Sequence, residues 1–191
     1  MAVPNIPWVS PDEYLDQEAV SETKHEYYKG VVTPLHGVGR PVAGWSVAHG
    51  TLKVNLLAAV HGGVRGRGWR VFGGDVRFQS GYPDLMVIGG PIECAEGTLD
   101  VVCNPNFTAE IVSPATEAHD RREKSREYRA TPSLREYAMI SQVEPWVEIH
   151  TRDESGRWWI SEVTGLDGVC EFRAINCVVP MAALYEGVLD S

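Results

Sequence analysis

Gly81-Tyr82-Pro83-Asp84-Leu85-Met86-Val87-Ile88 and Phe107-Thr108-Ala109-Glu110-Ile111-Val112-Ser113-Pro114 each spell a short apolar strand with one carboxylate in it. Asp84 opens a run that wants to be buried, so a charge sits at the mouth of a core strand. Glu110 lies inside such a run. A buried carboxylate is costly unless it is paired, hydrogen-bonded or bound to a metal. If the two strands are neighbours, Asp84 and Glu110 can share one divalent cation through oxygen ligands. Mg²⁺ or Mn²⁺ suits that donor set, with waters completing the shell.

Outward from these strands the chain alternates helices and strands. Ser10-Pro11-Asp12-Glu13 is a helix start: a serine cap, proline in the first turn and acids near the positive end of the dipole. That helix carries Tyr14, Leu15 and Val20. His25 to Leu35, broken by Lys29-Gly30, reads as a strand or hairpin edge. Trp45 to Val60 predicts a second helix with a broad apolar face, followed by a Gly- and Arg-rich loop from His61 to Gly68. Trp69 to Phe78 predicts a strand, and Gly89 to Pro105 a loop. Ala118 to Ala130 predicts a polar helix ending before Thr131-Pro132. Tyr137 to Ile140, Trp146 to Thr151 and Arg157 to Thr164 predict strands, the last two joined by a turn at Asp153-Glu154-Ser155-Gly156. Val169 to Val179 adds a strand or a pair, and Met181 to Leu189 a closing helix. The expectation is one mixed α/β domain over residues 1–191, with helices packed on a sheet.

Composition bounds the function. The 191 residues carry a net charge of -9, which argues against loose, charge-driven binding to nucleic acid. Arginines cluster locally at Arg65, Arg67, Arg70 and Arg77, and again at Arg121, Arg122, Arg126, Arg129 and Arg135. The second cluster is interleaved with acids and reads as a solvated helix face. No apolar run approaches a membrane span, and the amino terminus lacks a signal-peptide pattern, so a cytoplasmic protein is expected. The four cysteines form no C-x-x-C pair and read as reduced thiols, partly buried.

A metal-assisted hydrolase needs a cation near the reacting phosphate, and a lysine nearby can orient water or neutralise charge. Lys124 is the candidate. Asp120, Lys124 and Tyr128 recur at helical spacing on one face. By spacing alone Asp120 and Lys124 make a surface pair worth a few tenths of a kcal/mol.

The stretch from Phe107 to Arg129, with Pro132-Ser-Leu-Arg-Glu-Tyr137 after it, resembles the Uma family of restriction-endonuclease-like proteins, within the PD-(D/E)XK nuclease superfamily. Lys24-His-Glu-Tyr-Tyr-Lys-Gly30, Tyr82-Pro-Asp84 and Leu184-Tyr-Glu-Gly187 are similar to the same family, so the resemblance spans nearly the whole chain. It implies a restriction-endonuclease-like mixed sheet flanked by helices, with additional antiparallel strands. It also implies Asp84 as the metal-binding aspartate, Glu110 as the second carboxylate and Glu26 as a third acid, with Asp120 and Lys124 on the helix after Glu110. The lysine expected two positions after the glutamate is Val112 here, so Lys124 would have to reach the site from the helix.

Lesser candidates surround these. His49 stands near the start of the second helix's apolar face, at the rim of the site. Asp75 lines the cleft or pairs with Arg77. Ser113 is a turn or capping residue before Pro114. Trp158-Trp159 reads as core on one face and cover on the other. Two functions fit. One is an Mg²⁺-dependent endonuclease acting on DNA phosphodiesters, for which a homodimer would supply two sites for two strands. The other is a catalytically inert protein of the same fold, serving as a DNA-binding or protein-interaction module. The charge of -9 and the displaced lysine favour the inert module. The joint presence of Asp84, Glu110 and Lys124 favours the nuclease.

Overall fold

A computed structural model describes residues 8–28, 30–34, 46–78, 81–113 and 125–189. The first helix, α1 (Pro11–Val20), starts at a capping box in which Ser10 and Glu13 satisfy each other's backbone N–H groups. Tyr14 is buried and stacks on Tyr27 with ring centroids 5.1 Å apart. Val20 is exposed, so the apolar side of α1 is narrower than its sequence implies. The expected hairpin follows as β1 (His25–Tyr28) and β2 (Val31–Pro34), paired antiparallel.

Helix α2 (Val47–Val64) is capped by Ser46 and runs past the expected stop, through His61-Gly62-Gly63. The glycines do not break it because Gly63 is where the helix approaches Cys177: a Cβ there would lie 2.5 Å from Cys177 Sγ. Trp69 to Phe78 is likewise not one strand. β3 (Trp69–Gly73) ends at Gly73, a turn intervenes, and β4 (Arg77–Phe78) leaves the sheet to pair in parallel with β6 (Val101–Val102). β6 lies inside the segment expected to be loop. β5 (Leu85–Gly89) and β7 (Phe107–Val112) are the two strands on which the sequence argument rests. Helix α3 (Ser125–Ala130) is the described part of the polar helix expected from Ala118.

β8 (Glu136–Ser141), β9 (Trp146–Arg152) and β10 (Trp158–Thr164) then form a meander. β11 (Val169–Phe172) and β12 (Cys177–Pro180) form a hairpin around a 3₁₀ turn, which makes Val169 to Val179 a pair. The closing helix α4 (Met181–Leu184) is one turn long.

The main sheet has six strands in the order β10-β9-β8-β7-β5-β3. All neighbours are antiparallel except β7 and β8. A parallel pair needs a crossover, and the segment that contains α3 supplies it. The sheet is covered on both faces, which is why β5, β7 and β8 are buried along almost their whole length. Leu85, Val87, Phe107, Ala109, Ile111, Ala138 and Ile140 pack on one side with Leu52, Leu56 and Val60 of α2 and the β11–β12 hairpin. Met86, Ile88, Val112, Tyr137 and Met139 pack on the other with Tyr128 and Phe78. Trp158 joins this second cluster and Trp159 is exposed, as their alternation predicts. The cysteines are free: Cys170 and Cys177 buried, Cys94 and Cys103 exposed.

Candidate functional site

β5 and β7 are direct neighbours, with Leu85 opposite Ala109 and Met86 opposite Thr108. Continuing this register by one residue sets Asp84 opposite Glu110. β5 begins only after Asp84, so the aspartate's side chain takes up the edge of β7 itself: its Oδ2 accepts from the Ile111 backbone N–H at 2.9 Å. The apolar run that follows Asp84 pins β5 in the core, and Pro83 before it cannot donate to a ladder. The strand therefore starts where the charge sits.

Asp84 is largely buried, with 14% of its side chain exposed. Two side chains from α2 meet it. Lys53 Nζ lies 3.1 Å from Oδ1 and His49 Nε2 lies 3.3 Å from Oδ2. His49 and Lys53 are one turn apart on the helix and so share a face. Burial by itself would raise the Asp84 carboxyl. The bond and charge of His49, the charge of Lys53 and the Ile111 N–H outweigh it and hold the carboxyl well below its usual range. Asp84 is therefore an ionised carboxylate in a nearly dry place.

Glu110 points to the opposite layer from the Leu85 and Ala109 side chains. It is buried, and the Tyr128 hydroxyl of α3 donates to its Oε1. Tyr128, named in the sequence only as sharing a helix face with Asp120 and Lys124, is thus a neighbour of this carboxylate. The other residues expected at the site divide. His49 is in the site, bonded to Asp84. Glu26 occupies β1 opposite Thr33, and only its backbone position is described. Asp120 and Lys124 lie outside the described residues. Asp75 does not pair with Arg77. The turn after Gly73 swings it outward, where Lys24 takes it, while the buried Arg77 forms a two-bond pair with Asp100 at 2.9 and 3.0 Å.

Sequence reasoning missed Lys53. The signal available was its place one turn after His49 in a helix that is otherwise apolar on that side. It also missed a second polar group on the α3 face of the sheet. His150 Nε2 lies 2.6 Å from Glu148 Oε1, and His150 Nδ1 lies 2.8 Å from the Tyr137 hydroxyl and 2.9 Å from Arg129. A guanidinium can only donate. Nδ1 is therefore the acceptor, and Nε2 carries the proton given to Glu148. These residues brace α3, and hence Tyr128, against β8 and β9. On the other side of the site, Glu18 of α1 accepts from the Tyr82 hydroxyl at 3.0 Å and from the His25 backbone at 2.8 Å. That contact ties the Tyr82-Pro83-Asp84 segment to the first helix.

Two carboxylates at matching positions of adjacent strands are oxygen donors of the kind a hard divalent ion takes. Among the described residues, no group of three or more His, Cys, Asp and Glu side chains is arranged to hold a metal. A cation here would be held by Asp84 and Glu110 with water, and Glu26 is the one further acid the sequence nominates.

This mixed six-stranded sheet, covered on both faces, defines a restriction-endonuclease-like α/β protein. The chain belongs to the Uma2 family, described as "Putative restriction endonuclease", whose profile matches residues 11–174. It is similar to two uncharacterized proteins of Synechocystis sp. It is 28% identical to sll1609, covering 90% of this chain and 97% of that one. It is 26% identical to slr1290, covering 96% and 94%. The fold is also that of a crystal structure from Anabaena variabilis described as a putative nuclease belonging to DUF820. The TM-score is 0.71 at 16% identity, covering 93% of this chain and 98% of that one. Family and fold together point to a restriction-endonuclease-like nuclease, a class that generally uses divalent cations. Among the described residues no helix is long and apolar enough to cross a membrane.

Proposed function

We propose that this protein is an endonuclease of the cytoplasm that hydrolyses DNA phosphodiester bonds with the help of Mg²⁺ or Mn²⁺ held by Asp84 and Glu110. The observation that carries this reading is the bond from the Ile111 N–H to Asp84 Oδ2, which sets one ionised carboxylate at the edge of the strand that bears the other. The ion, when bound, would stabilise charge on the phosphate and lower the pKa of a bound water. The chain's own residues orient the two carboxylates. Asp84 is fixed by Ile111 and His49, and Glu110 by Tyr128. Glu26 is the proposed third acid, and Lys124 the proposed cation from the crossover segment.

One observation favours an inert module instead: Lys53 and His49 already satisfy Asp84 without a metal. Calorimetric titration with Mn²⁺, followed by incubation with supercoiled plasmid and Mg²⁺ or Mn²⁺, separates the two. A nuclease binds Mn²⁺ and nicks or linearises the plasmid, and both properties fall away in Asp84→Asn and Glu110→Gln. Mn²⁺ binding that survives both substitutions would overturn the metal assignment. Metal binding with an intact plasmid would establish the module.

A further inference from the structure

The position two residues after Glu110, where the family resemblance implies a lysine, is Val112. That side chain is buried among Phe78, Tyr128 and Met139, so no lysine can act from there. Lys53 stands at the other carboxylate. Its stem rises from α2, and its Nζ lies 3.1 Å from Asp84 Oδ1. The side chain is 30% exposed, so the ammonium faces solvent on one side and the buried carboxylate on the other. Room for it exists because residue 74 is glycine: a Cβ there would lie 2.7 Å from Lys53 Nζ. Lys24 brings a second ammonium to the same place, donating to the Gly74 carbonyl at 2.8 Å and to Asp75. Two lysines thus flank Gly74 at the mouth of Asp84.

A divalent ion on Asp84 changes what Lys53 can do. The two cations would compete for Oδ1, and the ion carries twice the charge. Lys53 is anchored through α2, whose Leu52 and Leu56 are fully buried, so it cannot move far away. Beside a bound cation its ammonium is repelled from Asp84 and left without an equal partner. The group best suited to it there is an oxygen of the phosphodiester that the metal also attracts. Lysine serves such an oxygen as a mobile point charge.

We propose that Lys53 is a phosphate-binding lysine of this site in addition to Lys124, holding Asp84 while no cation is bound and passing to a DNA phosphate oxygen once a divalent ion occupies the carboxylates. The proposal rests on the metal reading above, and two equilibrium measurements distinguish their failures. Mn²⁺ binding is followed by calorimetry. Binding of a labelled DNA duplex is followed by fluorescence anisotropy in Ca²⁺ across a range of salt. In Lys53→Met, removal of the competing charge tightens Mn²⁺ about fivefold or more. The same change weakens the duplex about tenfold and lowers the steepness of its salt dependence by about one phosphate contact. A lysine that only braced the fold would loosen both. Mn²⁺ affinity that is unchanged or weaker, or duplex affinity that is unchanged, overturns the proposal. If Lys53→Met does not fold, Lys53→Gln removes the charge at similar length and is held to the same criteria. Asp84→Asn is the control. If it binds Mn²⁺ like the wild type, the metal reading has failed. If it does not bind Mn²⁺ and Lys53→Met moves neither affinity, only the role of Lys53 has failed.

Discussion

Asp84→Asn in the metal-free protein isolates what the carboxylate contributes to the fold. Asparagine keeps the shape, and its amide oxygen can still accept from the Ile111 N–H. It cannot hold the charge of Lys53, and its NH₂ turns hydrogens toward that donor. The carboxyl lies at about 2 in the folded chain against 3.8 when unfolded. At 1.36 kcal/mol for each tenfold step in acidity, that gap corresponds to about 2 kcal/mol. The side chain is 14% exposed, so solvent screening removes little of it. Because the folded value is depressed, the stabilisation is fully present above pH 3.8 and is lost as pH falls through 3.8 toward 2. In EDTA at pH 7 the variant should therefore melt about 4–8 °C below the wild type, as expected for a chain of this size. The gap should stay level down to about pH 5 and narrow below pH 4. Scanning calorimetry with urea melts across that range measures both. A variant as stable as the wild type at pH 7, or a gap that does not narrow in acid, would refute the picture of Asp84 as an ion held by α2 and β7.

Tyr128→Phe removes the hydroxyl that donates to the buried Glu110. Taking the donor from a buried acceptor costs about 1–3 kcal/mol, and urea unfolding should show a loss of that order. Glu136 behaves oppositely to Asp84. Burial, its largest influence, raises the carboxyl against donation from Thr151 and the Ala174 N–H. The folded chain then binds the proton more tightly than the unfolded one. Stability of the wild type relative to Glu136→Gln should be greatest below pH 4.5 and decline as pH rises through the raised value; an unchanging difference between pH 4 and pH 7 would exclude this. Gly89→Ala would put a Cβ 2.7 Å from the Trp69 ring, and the rigid indole should make it lose about 1–3 kcal/mol in the same melts.

The carboxylate strands were legible because the physics there is local. A glutamate in a fully buried six-residue strand is a conflict that only a partner resolves; the structure gives Glu110 the Tyr128 hydroxyl, and the ion shared with Asp84 is the one proposed above. The role of Lys53 was not legible, because nothing in α2's own sequence says which strand end its polar turn will meet. Gly62-Gly63 read as a stop for the same reason in reverse. The fit of Gly63 against Cys177 comes from residues more than a hundred positions apart, and close packing there outweighs the weak helix propensity of glycine. The β4–β6 pair was invisible because strands of two residues carry no periodicity at all. Asp75 was misassigned because a continuous strand through Gly73 and Gly74 would have faced it toward Arg77. The turn that replaces that strand reverses the geometry.

The polar groups around the candidate site follow one pattern: each carboxylate is oriented by a different layer. Asp84 answers to α2 through His49 and Lys53, whereas Glu110 answers to α3 through Tyr128. The strands between them fix the register, since Ile111 both follows Glu110 and donates to Asp84. An ion that bridged the pair would therefore join the two helical layers through the sheet. Tyr128 is braced in turn by the row that runs from Tyr137 through His150 to Glu148, with Arg129 on the same imidazole nitrogen. The same coupling explains why the two carboxylates should be tested separately. Loss of Asp84 releases Lys53 at the surface of α2. Loss of Glu110 leaves the Tyr128 hydroxyl facing the sheet within a buried layer, and only the latter should be felt as far as β9.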